Sequence, residues 1–273
     1  MSVVALEVLH ITVLGYWLGS ELVINSTYRY VSYSASMPFG ERNRLMDHVM
    51  DVDQHVRYAL VLQATLGTML LALYGYVPGG AALATIAAAA GAGWLTLVEL
   101  THRWRNRPSG LRLAAIDRGL RYVAMLALLA LAAAIAVGAL TLPHWLGWKL
   151  AAFAGVIACG LGIRLALMGF YRIWQVIARE GSNVELEAGI RRTYVQATSV
   201  LFGLWALIAL IVALSVWKPS QGTQLRIDTF AQGEADVVDP GTEVLAHRHC
   251  DDLLFGIDEE RRACEPAPGE IPG

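Results

Sequence analysis

Charge is scarce in this chain. Only 16% of its 273 residues are Asp, Glu, Lys or Arg, while 56% are apolar. That balance excludes a soluble domain of this length and points to a polytopic membrane protein. The formal net charge is −2, and no basic face offers itself to a nucleic acid. Cysteine is scarce, at three residues. A basic n-region ahead of the first apolar run is missing, as is a clear small-residue cleavage site. The first run is therefore expected to be a retained span and not a cleaved leader. Lys and Arg are also absent from two of the five loops between apolar runs, and that absence sets the orientation.

What is present are six apolar runs, at 2–24, 56–77, 81–100, 120–142, 145–177 and 195–217. Each is about long enough for a helix to cross the hydrocarbon core. The fold expected is an all-α bundle of six transmembrane helices over 1–219, followed by a short tail over 220–273. The run at 145–177 exceeds one bilayer and must tilt or extend into water. Runs three and four are rich in Ala and Gly, which suits close helix packing. Loop one (25–55) carries Arg29, Arg42 and Arg44. Loop three (101–119) carries Arg103, Arg105, Arg107, Arg112 and Arg118, and loop five (172–194) carries Arg172, Arg179, Arg191 and Arg192. Loops two and four carry none. The positive-inside rule then places the odd loops in the cytoplasm and both termini on the periplasmic side of a bacterial-type inner membrane.

From Pro219 onward there are twelve Asp or Glu against four Arg and no Lys. The tail thus carries −8 and the preceding 218 residues +6. In an oxidising compartment Cys250 and Cys264 are expected to form a disulfide. The alternative there is a metal site built on His247, His249 and Cys250, since imidazole and thiolate are good ligands. Cys159 lies within a span and reads as a packing residue.

The first run, SVVALEVLHITVLGYWLGSELVI, organises the chemistry. Glu7, His10, Trp17 and Glu21 recur at three- and four-residue steps and share one helix face. Ionisable groups inside a membrane are costly, so that face must point at protein, a cofactor or water. Gly15 and Gly19 form a small-residue step suited to a second helix. Counting residues inward at about 1.5 Å each puts Glu7, His10, His144 and Lys149 in one layer of the outer third. Glu21, Glu99 and Arg164 fall in an inner layer, where Arg164 is expected to pair with one of the two carboxylates. Neutral imidazole is a common ligand of haem iron, copper and zinc, so His10 is the candidate metal ligand. On the approach to the second run, His48, Asp51 and His55 share a helical face, and Met46, His48 and Met50 suit Cu(I). His55 lies near the cytoplasmic end, so His10 and His55 are not expected to bind one haem from opposite sides.

LEVLHITVLGYWLGS resembles the first helix of the HemJ-type protoporphyrinogen oxidases and the related CopD-like copper-resistance membrane proteins. WLGWKL at 145–150 resembles the helix of that group that opens with tryptophan and an intramembrane lysine. The close of the last run, VWKP, resembles the group's final helix and its Lys-Pro stop. The resemblance covers 1–77 and 145–219, leaving runs three and four and the tail as additions to a four-helix family. It implies a membrane protein binding haem b, which oxidises a porphyrin-type substrate or passes electrons to a partner. It makes His10 the axial ligand, with Lys149 a second ligand or the charge partner of a propionate. Glu7 becomes a proton acceptor or histidine orienter, and Trp17 and Trp148 the aromatic lining of the cofactor. Two other classes stay open. One is a copper-handling transport protein using His10, Met46, His48 and Met50, with or without His247 and His249 of the tail. The other is a homo-oligomer or structural subunit of a membrane complex.

Overall fold

The computed structural model describes residues 2–105 and 107–217. His247, His249, Cys250 and Cys264 fall outside the described residues, and so do the disulfide and metal readings that rest on them. The described chain is all-helical: α1 (Val3–Tyr33), α2 (Phe39–Leu73), α3 (Gly80–Arg103), α4 (Pro108–Ala136), α5 (His144–Glu180) and α6 (Val184–Val216). All six are long and apolar enough to cross a membrane. The protein is a polytopic membrane helix bundle.

Local sequence explains where the helices begin. Ser2 caps α1 by accepting a hydrogen bond from the Ala5 amide at 3.2 Å, and Asn183 caps α6 through the Leu186 amide at 2.8 Å. Both are residue types whose short oxygen-bearing side chains satisfy an orphan helix N–H. Pro108 opens α4, where its missing N–H costs nothing. Between α2 and α3 the chain turns through Gly79 at φ 117°, a conformation that favours glycine.

Helices consecutive in sequence pack against each other, and α6 returns to α1, so the order closes into a ring. Two core clusters run along it. One joins Leu6, Val13 and Trp17 of α1, Ala59, Leu60 and Leu66 of α2, Val156 and Ile157 of α5, and Leu204 and Ile208 of α6. The other is aromatic and lies nearer the arginine-rich loops, here termed the basic end; it holds Tyr28, Met46, Phe170, Trp174 and Tyr194. Both draw their buried residues from α1, α2, α5 and α6. The α3–α4 hairpin leans on this four-helix core, α3 against α2 and α4 against α5.

The long helices differ from the apolar runs in one consistent way. At about 1.5 Å per residue, α1, α2, α5 and α6 reach about 46–56 Å, well beyond a core of about 30 Å. The excess lies at the basic end, where 25–33, 39–55, 178–180 and 184–194 are helical and not loop. A buried ion pair fastens this extension. Arg42 donates to both carboxylate oxygens of Glu187, at 2.7 and 3.1 Å, and to the Val31 carbonyl at 3.0 Å. Ser182 donates to the same carboxylate at 2.5 Å, and the guanidinium lies 5.0 Å from the centre of the Trp174 ring. Arg42 is 1% exposed and Glu187 5%.

Candidate functional site

Away from the basic end, α1 lays its polar stripe against α2. Gln63 donates to the His10 carbonyl at 2.9 Å, which fixes the level of His10 on α2. Gly67 faces the imidazole; a methyl group added there would sit 3.6 Å from Cε1, an ordinary contact. The His10 Nδ1 is buried and has no hydrogen-bond partner. A buried polar atom left unpaired costs free energy and asks for an explanation. From α5, Lys149 lies close enough for its charge to act on the ring. Of the layer expected from residue counting, Lys149 is the member whose charge reaches the His10 ring.

Glu7 takes a different partner. Its Oε1 accepts a hydrogen bond at 2.5 Å from Tyr74, the residue that closes α2. The carboxylate is engaged there and Nδ1 of His10 is unpaired, so Glu7 does not orient the imidazole. Composition gives no reason to single out Tyr74; only the antiparallel register of α1 and α2 reveals it. His144 is the first residue of α5 and is exposed. Trp148 turns 68% of its surface outward and does not join Trp17, which is 3% exposed in the core. Trp17 Nε1 donates to Glu21 Oε1 at 3.3 Å, tying two members of the stripe together.

Toward the basic end lies a second polar layer. Arg164 does not pair with Glu21 or Glu99. Its nearest carboxylate is Asp53 of α2, at 3.9 Å, an oxygen that also binds Arg57 at 2.6 Å. Across the α4 side, Asp117 binds Arg121 at 3.1 Å and accepts from Trp94 at 3.0 Å. Glu99 is committed to Tyr58 and to Arg103, the latter at 2.5 Å. Depth alone does not distinguish these acids; the side of the helix does. Asp53 lies ahead of the second apolar run, on the helical approach to it, and α2 carries that approach into the bundle.

The residues of the copper reading separate. Met46 is 1% exposed in the aromatic core, while His48 is exposed. His55 pairs with Tyr16, Oη to Nδ1 at 2.5 Å, and Asp51 meets Arg105 at 3.5 Å. Among the described residues no three His, Cys, Asp or Glu converge as metal ligands. A closed protein cage of three or four ligands is the usual home of a structural metal ion. A porphyrin brings four nitrogens of its own and asks the protein for one or two axial ligands. The donor set around His10, one unpaired imidazole with a cation beside it, suits that second demand. His10 and His55 lie at different levels: His10 sits at Gln63 and Gly67, His55 at Tyr16, roughly two turns away along α2. No protein-family model, curated protein or solved structure matches this chain.

Proposed function

We propose that this protein is a haem-binding redox protein of a bacterial-type inner membrane, with both termini on the periplasmic side and His10 as an axial ligand. The observation that carries the reading is the buried, unpartnered nitrogen of His10; of the five buried side-chain atoms without a partner among the described residues, it is the one that is a common metal ligand. Haem, when bound, supplies one-electron redox chemistry. The chain's own residues do the rest. His10 holds the group; Lys149 offers a cation to a propionate or a second ligand; the apolar core of α1, α2, α5 and α6 excludes water. Glu7 and Tyr74 hold a proton between carboxylate and phenol at the same end of the bundle, where a substrate proton can be accepted. The class of reaction these parts suit is oxidation of a porphyrinogen-type substrate or electron transfer to a partner.

Absorption spectroscopy of the purified protein tests this. The expected result is a Soret band and a reduced α-band in the wild type, both lost or strongly reduced in His10→Ala with the protein still inserted. Lys149→Met is expected to change the spin state if lysine is a ligand, and to shift the potential alone if it serves a propionate. A wild type without Soret absorption, or a His10→Ala variant with full haem and an unchanged spectrum, would overturn the reading.

A further inference from the structure

A groove opens on the side of the bundle, away from His10. Its floor is α2 and its walls are α1 and α3, which flank α2 without packing on each other. It is open along most of its face, with about 600 Å³ of accessible space lined by Tyr16, Tyr58, Leu62, Leu95, Thr96 and Glu99. Its polar groups collect at one end. Tyr58 donates to Glu99, and Glu99 lies one turn from Arg103, the last residue of α3. Tyr16 pairs with His55 at 2.5 Å. The His55 ring stands edge-on to Tyr16 and to Tyr58, with centroids 5.9 and 6.2 Å away. The other end, running toward the middle of the bundle, is apolar through Leu62 and Leu95.

We propose that this groove binds an isoprenoid quinone or its quinol. Three features select that class. The polar end sits at the boundary between the basic end and the apolar stretch of the helices, where the head of a lipid-dissolved molecule with a long apolar tail would lie. Two aromatic rings, Tyr16 and Tyr58, line it, with His55 edge-on behind both, which suits a planar ring. Its hydrogen-bonding groups come as complementary types. When His55 carries the Nδ1 proton and donates to the Tyr16 oxygen, the phenol proton of Tyr16 is free for a carbonyl, and the Glu99 carboxylate accepts from a hydroxyl. Binding requires no haem; use of the bound molecule as electron partner rests on the redox reading above.

The test is photolabelling of the full chain, in phosphatidylcholine nanodiscs, with an azido-quinone, followed by peptide mapping. Label is expected on peptides spanning residues 55–62 and 95–99, displaced by decylubiquinone and not by phosphatidylglycerol. Leu95→Trp, which fills the groove, should abolish it. Tyr16→Phe with Tyr58→Phe, which removes two hydroxyls without adding bulk, should weaken displacement about tenfold or more; this pair also serves if the tryptophan variant does not fold. Label scattered over the lipid-facing helices, label unaffected by these variants, or equal displacement by phosphatidylglycerol would overturn the proposal. Haem content measured on the same samples separates the two readings, since label without haem removes only the redox role, and haem without label removes only the quinone.

Discussion

Two arginines in one bundle are held in contrasting ways, and their substitution should show it. Arg42 is enclosed, with both Glu187 oxygens, a backbone carbonyl and an indole face around it. Arg42→Met leaves Glu187 buried without its cation, at an expected cost of about 3–5 kcal/mol. Replacing both, Arg42→Met with Glu187→Leu, should restore much of that stability, because the desolvation of two charges is removed with their attraction. Thermal unfolding in detergent measures it; a double variant no better than the single one would mean that the Ser182 and Val31 contacts matter more than the charge. Arg164 is 34% exposed at its side chain and 3.9 Å from an aspartate that Arg57 already holds. Arg164→Leu should cost clearly less than Arg42→Met, about 1 kcal/mol, because this half-buried cation lies 3.9 Å from a carboxylate that is already shared. The sequence shows that His10 and Lys149 share a depth, since depth is a count along a helix. It does not show which acid faces Arg164, since that depends on helix rotation, which is set by packing and not by spacing.

Helices are legible as apolar runs, but their ends are not. The runs mark where lipid must be met, whereas α1, α2, α5 and α6 continue as amphipathic turns whose buried positions, such as Tyr28, Val49 and Ile190, are diluted by exposed arginines. Small residues mislead similarly. Gly15 and Gly19 have the spacing of a packing step, yet a Cβ at either would meet nothing within 4 Å. A Cβ on Gly91, amid the alanines of α3, would run into the Thr65 side chain of α2. Gly91→Val should therefore destabilise by about 1–3 kcal/mol through overpacking, while Gly15→Ala and Gly19→Ala stay within about 0.5 kcal/mol of wild type or improve on it. Melting temperatures of the three purified variants decide this. Equal losses at Gly15 and Gly91 would mean that another protein surface covers Gly15.

At the scale of the molecule, the fold class follows directly from the six runs, and the proposed orientation from the arginines of alternate loops. A phosphatase fused after Gly273 should be active and a fluorescent protein there dark; the reverse pattern would invert the orientation. The ring of helices has another consequence, for biogenesis. Each helix meets its successor as the chain lengthens, so every hairpin forms from near neighbours, and the contacts of long sequence separation are those that α5 and α6 bring back to α1 and α2. Until α6 arrives, Asn25 lacks Thr198, Tyr28 lacks Thr193 and Arg42 lacks Glu187. Synthesis therefore holds the first hairpin in waiting, with polar and cationic groups unmet, and its last helix acts as a latch. Two co-expressed fragments, 1–142 and 143–273, should assemble into one stable particle. The first alone should be degraded, since the helix that completes it is made last.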